Sequence, residues 1–177
     1  RRIMPIRILK NLKRHAWRAC LQRKEMTKIT LKRQSPFSAD LMFAMVADID
    51  RYHEFLPYCV ASRVKTRTTA PVGEGSQELL KAELMIRYKI VQESFMSNVT
   101  LDCAKGVIEA RQMTGPFKHL FNQWVFDDNE VGSTIEFTLD FEFRVPLLRK
   151  IIAPLMGRAV ETMVGAFEER ARHIYGD

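Results

Sequence analysis

Cysteine is scarce in this chain: Cys20, Cys59 and Cys103 are the three among 177 residues, odd in number and widely spaced. Such a set excludes a disulfide scaffold and points to a reducing compartment. Long apolar runs are also missing. No stretch reaches the roughly 18 apolar residues that a membrane-spanning helix needs. The four histidines, His15, His53, His119 and His173, stand nowhere near a cysteine or paired acid at metal-ligand spacing. Zinc is therefore not expected. There is no phosphate-binding glycine loop, no dinucleotide fingerprint and no Gly-x-Ser-x-Gly elbow. His53-Glu54 is the one suggestive acid/base pair, and a solvated polar turn explains it more simply. Cys59 reads as a small buried hydrophobe before it reads as a nucleophile. No internal repeat or low-complexity segment is present.

Charge is unevenly distributed. The chain carries a formal +7, but residues 1–33 hold 12 Lys/Arg against the single acid Glu25, and the remaining 144 hold 16 Lys/Arg against 20 Asp/Glu. The body is mildly acidic and offers no general footprint for nucleic acid. The basic arm over 1–25 has three readings. It is acid-poor and Arg-rich like a mitochondrial targeting segment, though its first serine comes only at Ser35. It suits RNA or anionic lipid as a binding arm. Or it is sequence upstream of a native start at Met26, with the domain running over 26–177.

The body alternates. Residues 27–34 predict a strand with Ile29 and Leu31 apolar. Ser38 is placed to cap a helix over about 39–48, with Asp40 in its first turn and Leu41, Ala44, Met45 and Asp48 along one stripe. A second short helix should end at Pro57. Residues 60–69 predict a short strand and 70–75 a turn. Over 76–91 Leu80, Ala82, Leu84, Ile86, Tyr88 and Ile90 share a face, with Lys81, Glu83, Arg87 and Lys89 opposite. Strands follow over 93–101, 107–113 and 119–127, the last with Leu120, Trp124 and Phe126 on one face and Asn122 between them. A polar turn over 127–130 closes at Gly132. Residues 133–145 alternate strictly, Ile135 to Val145 one way and Thr134 to Arg144 the other, as a half-buried antiparallel strand does.

From about 147 to 175 the period becomes helical. Leu148, Ile152, Leu155, Ala159, Met163, Phe167, Ala171 and Ile174 make the stripe, Pro154 should kink the helix or begin its main part, and Gly176 should end it. An amphipathic helix beside a twisted antiparallel sheet must bury its stripe on that sheet. A cup of this kind suits an apolar ligand, with Met156, Met163, Phe95, Phe137, Phe141 and Trp124 as walls. Periodicity shows burial and not emptiness, so a dry interdigitated core stays open beside the pocket.

Five segments in order carry a resemblance: VADIDRYHEFLPYCVASRV at 46–64, KAELMIRYKIVQESFMSNV at 81–99, GPFKHLFNQWVFDD at 115–128, LDFEFRVPLL at 139–148 and VGAFEERARHIYG at 164–176. Together they resemble the coenzyme-Q-binding proteins of the START-like, polyketide-cyclase-like helix-grip superfamily, with their bacterial ribosome-association toxin relatives. The resemblance implies an α+β fold: a seven-stranded antiparallel sheet around a long C-terminal helix, with two short helices after the first strand. It implies an apolar tunnel that binds ubiquinone and supports quinone synthesis or respiration without being an enzyme, and no catalytic cofactor. Leu84 and Trp124 match positions tied to quinone function. Phe95, Phe126, Phe137, Leu139, Phe141, Met156, Met163 and Phe167 complete the expected wall. Tyr52, Phe55, Leu56, Pro57, Tyr58 and Phe117 are the expected lips, since aromatic residues with polar tips suit a membrane interface. At 84–88 the chain departs from the family pattern, with Arg87 where a small residue is common, which leaves the tunnel's width there open.

Three functions follow from these readings. The first is a quinone or isoprenoid carrier in peripheral contact with a membrane, in the bacterial cytoplasm or on the matrix face of the mitochondrial inner membrane. The second is a cyclase or aromatase using the same cup. The third is a regulator whose partners are the ribosome or quinone-synthesis proteins. Fold alone does not choose among them.

Overall fold

The computed structural model describes residues 27–72, 75–88 and 90–176. The basic arm and its three readings, and Lys89 of the polar face, lie outside them. Seven strands make one sheet in the order β1-β7-β6-β5-β4-β3-β2, every neighbouring pair antiparallel. They are β1 Thr27–Ser35, β2 Cys59–Val72, β3 Gly75–Tyr88, β4 Val91–Asp102, β5 Val107–Thr114, β6 Phe117–Asn129 and β7 Gly132–Phe143. Between β1 and β2 lie α1 (Ala39–Ala47), a 3-10 turn and α2 (Tyr52–Phe55); after β7 come α3 (Pro146–Ile152), a 3-10 turn over Ala153–Leu155 and the long α4 (Met156–Tyr175). The α+β helix-grip architecture is as the sequence pattern and the resemblance imply.

Alternation builds the sheet. On β7, Ile135, Phe137, Leu139, Phe141 and Phe143 are all buried while Glu136 is exposed. Helix α4 lies against this face with Val160, Val164, Phe167 and Ala171 buried. Two ion pairs hold the helix to the elements around it: Arg33 on β1 to Glu168 at 3.7 Å, and Arg170 to Glu54 on α2 at 2.7 Å. Ser38 caps α1 in an extended conformation, its hydroxyl accepting from the Leu41 N–H at 3.4 Å. The Asp128 carboxylate accepts from the Ala39 N–H at 2.7 Å, which ties that helix start to β6.

Several boundaries differ from the sequence expectation. Strand β2 continues through Pro71 to Val72, because β2 is an edge strand and needs a ladder on one side only. Ile90 is not on the apolar face: it stands at the β3–β4 hairpin tip, 99% exposed. Val145 does not extend β7 but precedes α3, whose first position is filled by Pro146. Helix α1 buries Ala39, Met42, Phe43, Met45 and Val46, and turns Leu41 and Ala44 outward. The C-terminal stripe holds at Phe167 and Ala171, which are buried, and at Ile152, Ala159 and Met163, which are partly buried. Leu155, in the 3-10 turn at Pro154, and Ile174, in the last helical turn, are exposed, and Val160 and Val164 add buried positions beside the stripe. The Leu148 side chain lies outside the described ones.

Candidate functional site: an apolar cavity between sheet and helix

The sheet and α4 do not meet everywhere. Between them is a cavity of about 330 Å³, within the range of small-molecule sites. Its closed end is made by Ala82, Val99, Ile108, Trp124, Phe137 and Phe167, all buried. Phe167 is central there: its ring is 5.2 Å from each of Tyr52, Phe55 and Trp124, and Trp124 lies 4.5 Å from Phe137. Edge-on and tilted pairs of this kind hold rings in fixed positions. Phe167 on α4 thus joins α2 and β6 through one side chain.

Nearer the mouth the wall is formed by Ile86, Leu84, Phe95, Leu120, Leu139 and Phe143 from the sheet, and by Ile152, Met156, Ala159 and Met163 from the helices. Leu56, Pro57, Tyr58, Tyr88, Glu93, Pro116 and Phe117 rim it. All of these rim positions lie at one end of the sheet. The register shows this: Arg87 N–H donates to the Tyr58 carbonyl at 2.8 Å, and Arg144 N–H to the Pro116 carbonyl at 3.1 Å. Tyr58 has φ +68, the only positive value at a non-glycine position among the described residues. A bulky residue in that region is strained. Here the Cys59 N–H closes a turn on the Leu56 carbonyl, the Tyr58 carbonyl accepts from Arg87 at the end of β3, and the Tyr58 ring packs 5.5 Å from Tyr88.

Most expected wall residues come together on this surface: Leu84, Phe95, Trp124, Phe137, Leu139, Met156, Met163 and Phe167. Phe126 and Phe141 do not. Phe126 lies one step past the closed end, its ring 6.1 Å from Trp124 and 5.8 Å from Phe43. Phe141 faces inward but is covered by Phe117 and Phe143, whose centroids are 6.2 and 5.5 Å away. Of the expected lips, Leu56, Pro57, Tyr58 and Phe117 are at the rim. Phe55 is not on the cavity; it packs on Phe167, with Arg170 over its ring at 5.4 Å. Tyr52 is an inner wall, its hydroxyl donating to the Val46 carbonyl. Burial pushes that phenol far above its ordinary value, with Asp48 and Cys59 as lesser causes, so it stays a neutral donor. Arg87 points out of the cup and donates to the Gln92 side chain at 2.8 Å, so it does not narrow the cavity.

Little in the cavity can do acid/base work. Burial pushes the Cys59 thiol up to about 11, which keeps it protonated at neutral pH. Glu93 is exposed at the mouth. His53 is outside, its ring and backbone both on Ser62. Among the described residues no group of His, Cys, Asp and Glu is placed to hold a metal ion, and no helix is long and apolar enough to cross a membrane. Outside the expected wall, Val46 and Ile49 enter from α1 and the turn after it, and the polar pair Ser97 and Asn122 lines the cavity as well. The signal for Asn122 was in the alternation: it stands at an inward position of β6.

Residues 35–168 match the family described as polyketide cyclase / dehydrase and lipid transport. The chain belongs to that family. Its relatives differ in what they are named for. One, 36% identical over 143 residues and covering 80% of this chain and 92% of its own, is the ribosome association toxin RatA of Pseudomonas aeruginosa. Another, 24% identical over 86% of this chain and 70% of its own, is the mitochondrial coenzyme Q-binding protein of Dictyostelium discoideum. Neither is named as an enzyme. Among solved structures, an 18 kDa protein of Caulobacter crescentus superposes with a TM-score of 0.70 at 27% identity, covering 86% of this chain and 100% of that one. This member of the polyketide cyclase and lipid-transport family thus shares its fold with binding proteins, toxins and cyclases, and its site has to be argued from its own residues.

Proposed function

We propose that this protein holds an isoprenoid quinone, ubiquinone or a close relative, non-covalently in the cavity, and carries or presents it to quinone synthesis or respiratory electron transport. The observation that carries this reading is a cavity enclosed by aliphatic and aromatic side chains, open at one end and nearly empty of ionisable groups. Such a surface replaces the apolar surroundings of a lipid tail, worth about 0.8 kcal/mol for each CH₂ buried. No covalent step and no catalytic cofactor is needed. A cyclase would want acid/base groups deep in the cup, where this chain has the tied phenol of Tyr52 and the high thiol of Cys59.

The surroundings of the mouth support contact with a bilayer. Tyr58 and Ile90 are exposed there, Leu147 and Ile151 on the adjoining α3, and Leu155 on the 3-10 turn that follows it. Between Phe143 and Glu161 the chain carries Arg144, Arg149, Lys150 and Arg158 and no acid, against a body in which acids prevail. Apolar residues flanked by basic ones are what an anionic lipid surface attracts.

The test is extraction of the purified protein with organic solvent and mass spectrometry of the lipids, followed by titration with ubiquinone. A quinone or isoprenoid in the extract, or saturable ubiquinone binding, is the expected result. Neither one appearing would end the carrier reading. A second reading, association with the ribosome, is favoured by the 36% identity to the toxin. It calls for co-sedimentation of the full chain with ribosomes through a sucrose gradient.

A further inference from the structure

Two polar side chains interrupt the apolar lining. Ser97 is on β4, 3% exposed, inward between Phe95 and Val99. In register it faces Ala82 on β3 and Gln112 on β5. Gln112 is the polar neighbour in register: its amide nitrogen donates to the Phe117 carbonyl at 2.9 Å, and its amide oxygen is buried without a partner and makes no bond to Ser97. Asn122 is on β6 between Leu120 and Trp124, with Ala110 and Leu139 beside it. Neither side chain has a hydrogen-bond partner among the described residues. Neither is among the buried unpaired polar atoms: both face the open space of the cavity, where an apolar occupant would desolvate them without a partner at a free-energy cost. Valine or leucine would fill either position at no such cost, as at Val99 and Leu139.

Depth gives the pair a direction. Glu93 marks the mouth on β4, and Ser97 is four residues further in, roughly 13 Å at 3.3 Å per residue. Asn122 is level with Val99 and one inward position short of Trp124 at the closed end. The polar groups therefore lie in the inner half of the cavity. The wall between them and the rim is apolar.

We infer that Ser97 and Asn122 form the head-group site of the cavity, taking the oxygens of a ring whose apolar tail runs out towards Tyr58, Tyr88 and Pro116. This rests on the quinone reading. A serine hydroxyl donates and accepts, and a carboxamide has two donors and an acceptor. The same pair therefore serves the carbonyls of a quinone and the hydroxyls of the corresponding quinol, with no proton gained or lost by the protein. An apolar chain without oxygens leaves both groups unpaired, so the site discriminates against plain hydrocarbons.

The full chain is titrated with a short-tailed ubiquinone and with squalene, as wild type, Asn122→Leu and Ser97→Ala, and each variant's Tm is recorded. Asn122→Leu should bind the ubiquinone about fivefold to fiftyfold more weakly. It should bind squalene as well or better and melt no lower than wild type. Ser97→Ala, which only removes an oxygen, should move affinity the same way and stands by itself if the leucine variant does not fold. Unchanged ubiquinone affinity in both variants, or an equal loss for both ligands, overturns the head-group site and leaves the carrier reading intact. So does a wild type that binds squalene as tightly as ubiquinone. A wild type that binds neither overturns both.

Discussion

Phe167 and Leu84 face the same void and differ in what they hold. Phe167, Trp124 and Phe137 share ring contacts and are buried, whereas Leu84 is half-buried with the cavity in front of it. Trp124→Ala should cost about 3–5 kcal/mol, the usual loss for a large core aromatic. Leu84→Ala should cost about 2 kcal/mol or less, at the low end for leucine, because its void joins one already open. The second variant is the cleaner test of the wall: its quinone affinity should fall although the protein stays folded. Urea unfolding and quinone titration on one preparation separate the two, and an unchanged affinity would remove Leu84 from the wall. Away from the cavity, Asp102 is held below its ordinary value of 3.8, first by the Lys105 side chain and then by Gln77. Lys105 Nζ and Gln77 Nε2 donate to it at 2.8 and 2.6 Å. A depressed carboxylate contributes stability that is whole above its unfolded value and is lost as pH falls through the folded one. Wild type should therefore lose more stability than Asp102→Asn as pH drops from about 5 to about 2. Parallel urea midpoints across that range would contradict the assignment.

At the scale of elements, α3 and the β3–β4 hairpin are exposed apolar structures flanking an apolar mouth. Leu147 and Ile151 are 63% and 56% exposed, and Ile90 is 99% exposed. Replacing all three with serine should leave Tm nearly unchanged, because none is buried. It should strongly reduce co-sedimentation with vesicles containing anionic lipid. Lys150→Ala should weaken binding to those vesicles about fivefold, near 1 kcal/mol for one basic residue at an anionic surface, and leave neutral vesicles unaffected. If vesicle binding survives the triple serine change, the rim is not the docking surface. The amphipathic period and the break at Pro154 were readable in advance. The direction each piece faces was not, since a 3-10 turn alters the angle between two helices by an amount that residue spacing does not encode.

At the scale of the whole molecule, the sheet, three short helical segments and α4 complete a core from residues between Ile29 and Ala171. We propose that the basic arm is dispensable for that core. A chain starting at Met26 should melt within about 2 °C of the full one, less than 1 kcal/mol for a domain of this size. A larger fall would make the arm part of the domain. Comparing the two chains in the ribosome and anionic-vesicle assays would then assign any loss of binding to the arm alone.

Alternation along β3, β6 and β7, the serine cap of α1, the break at Pro154 and the stop at Gly176 come from local chemistry. One side chain in two faces the core, one hydroxyl satisfies one helix end, and one ring or missing Cβ interrupts a helix. Those features determined seven strands, the closing helix and most of the inward residues. Only the tertiary structure decided that the cup is not filled. A void is the gap left between two surfaces encoded in distant segments, here the inward face of the sheet and the apolar stripe of α4. That fit separates Phe137 and Trp124, which border the void, from Phe141 and Phe126, which share their strand faces but are covered by neighbouring rings. It also turns Ser97 and Asn122, ordinary residues in the pattern, into polar groups facing an apolar space.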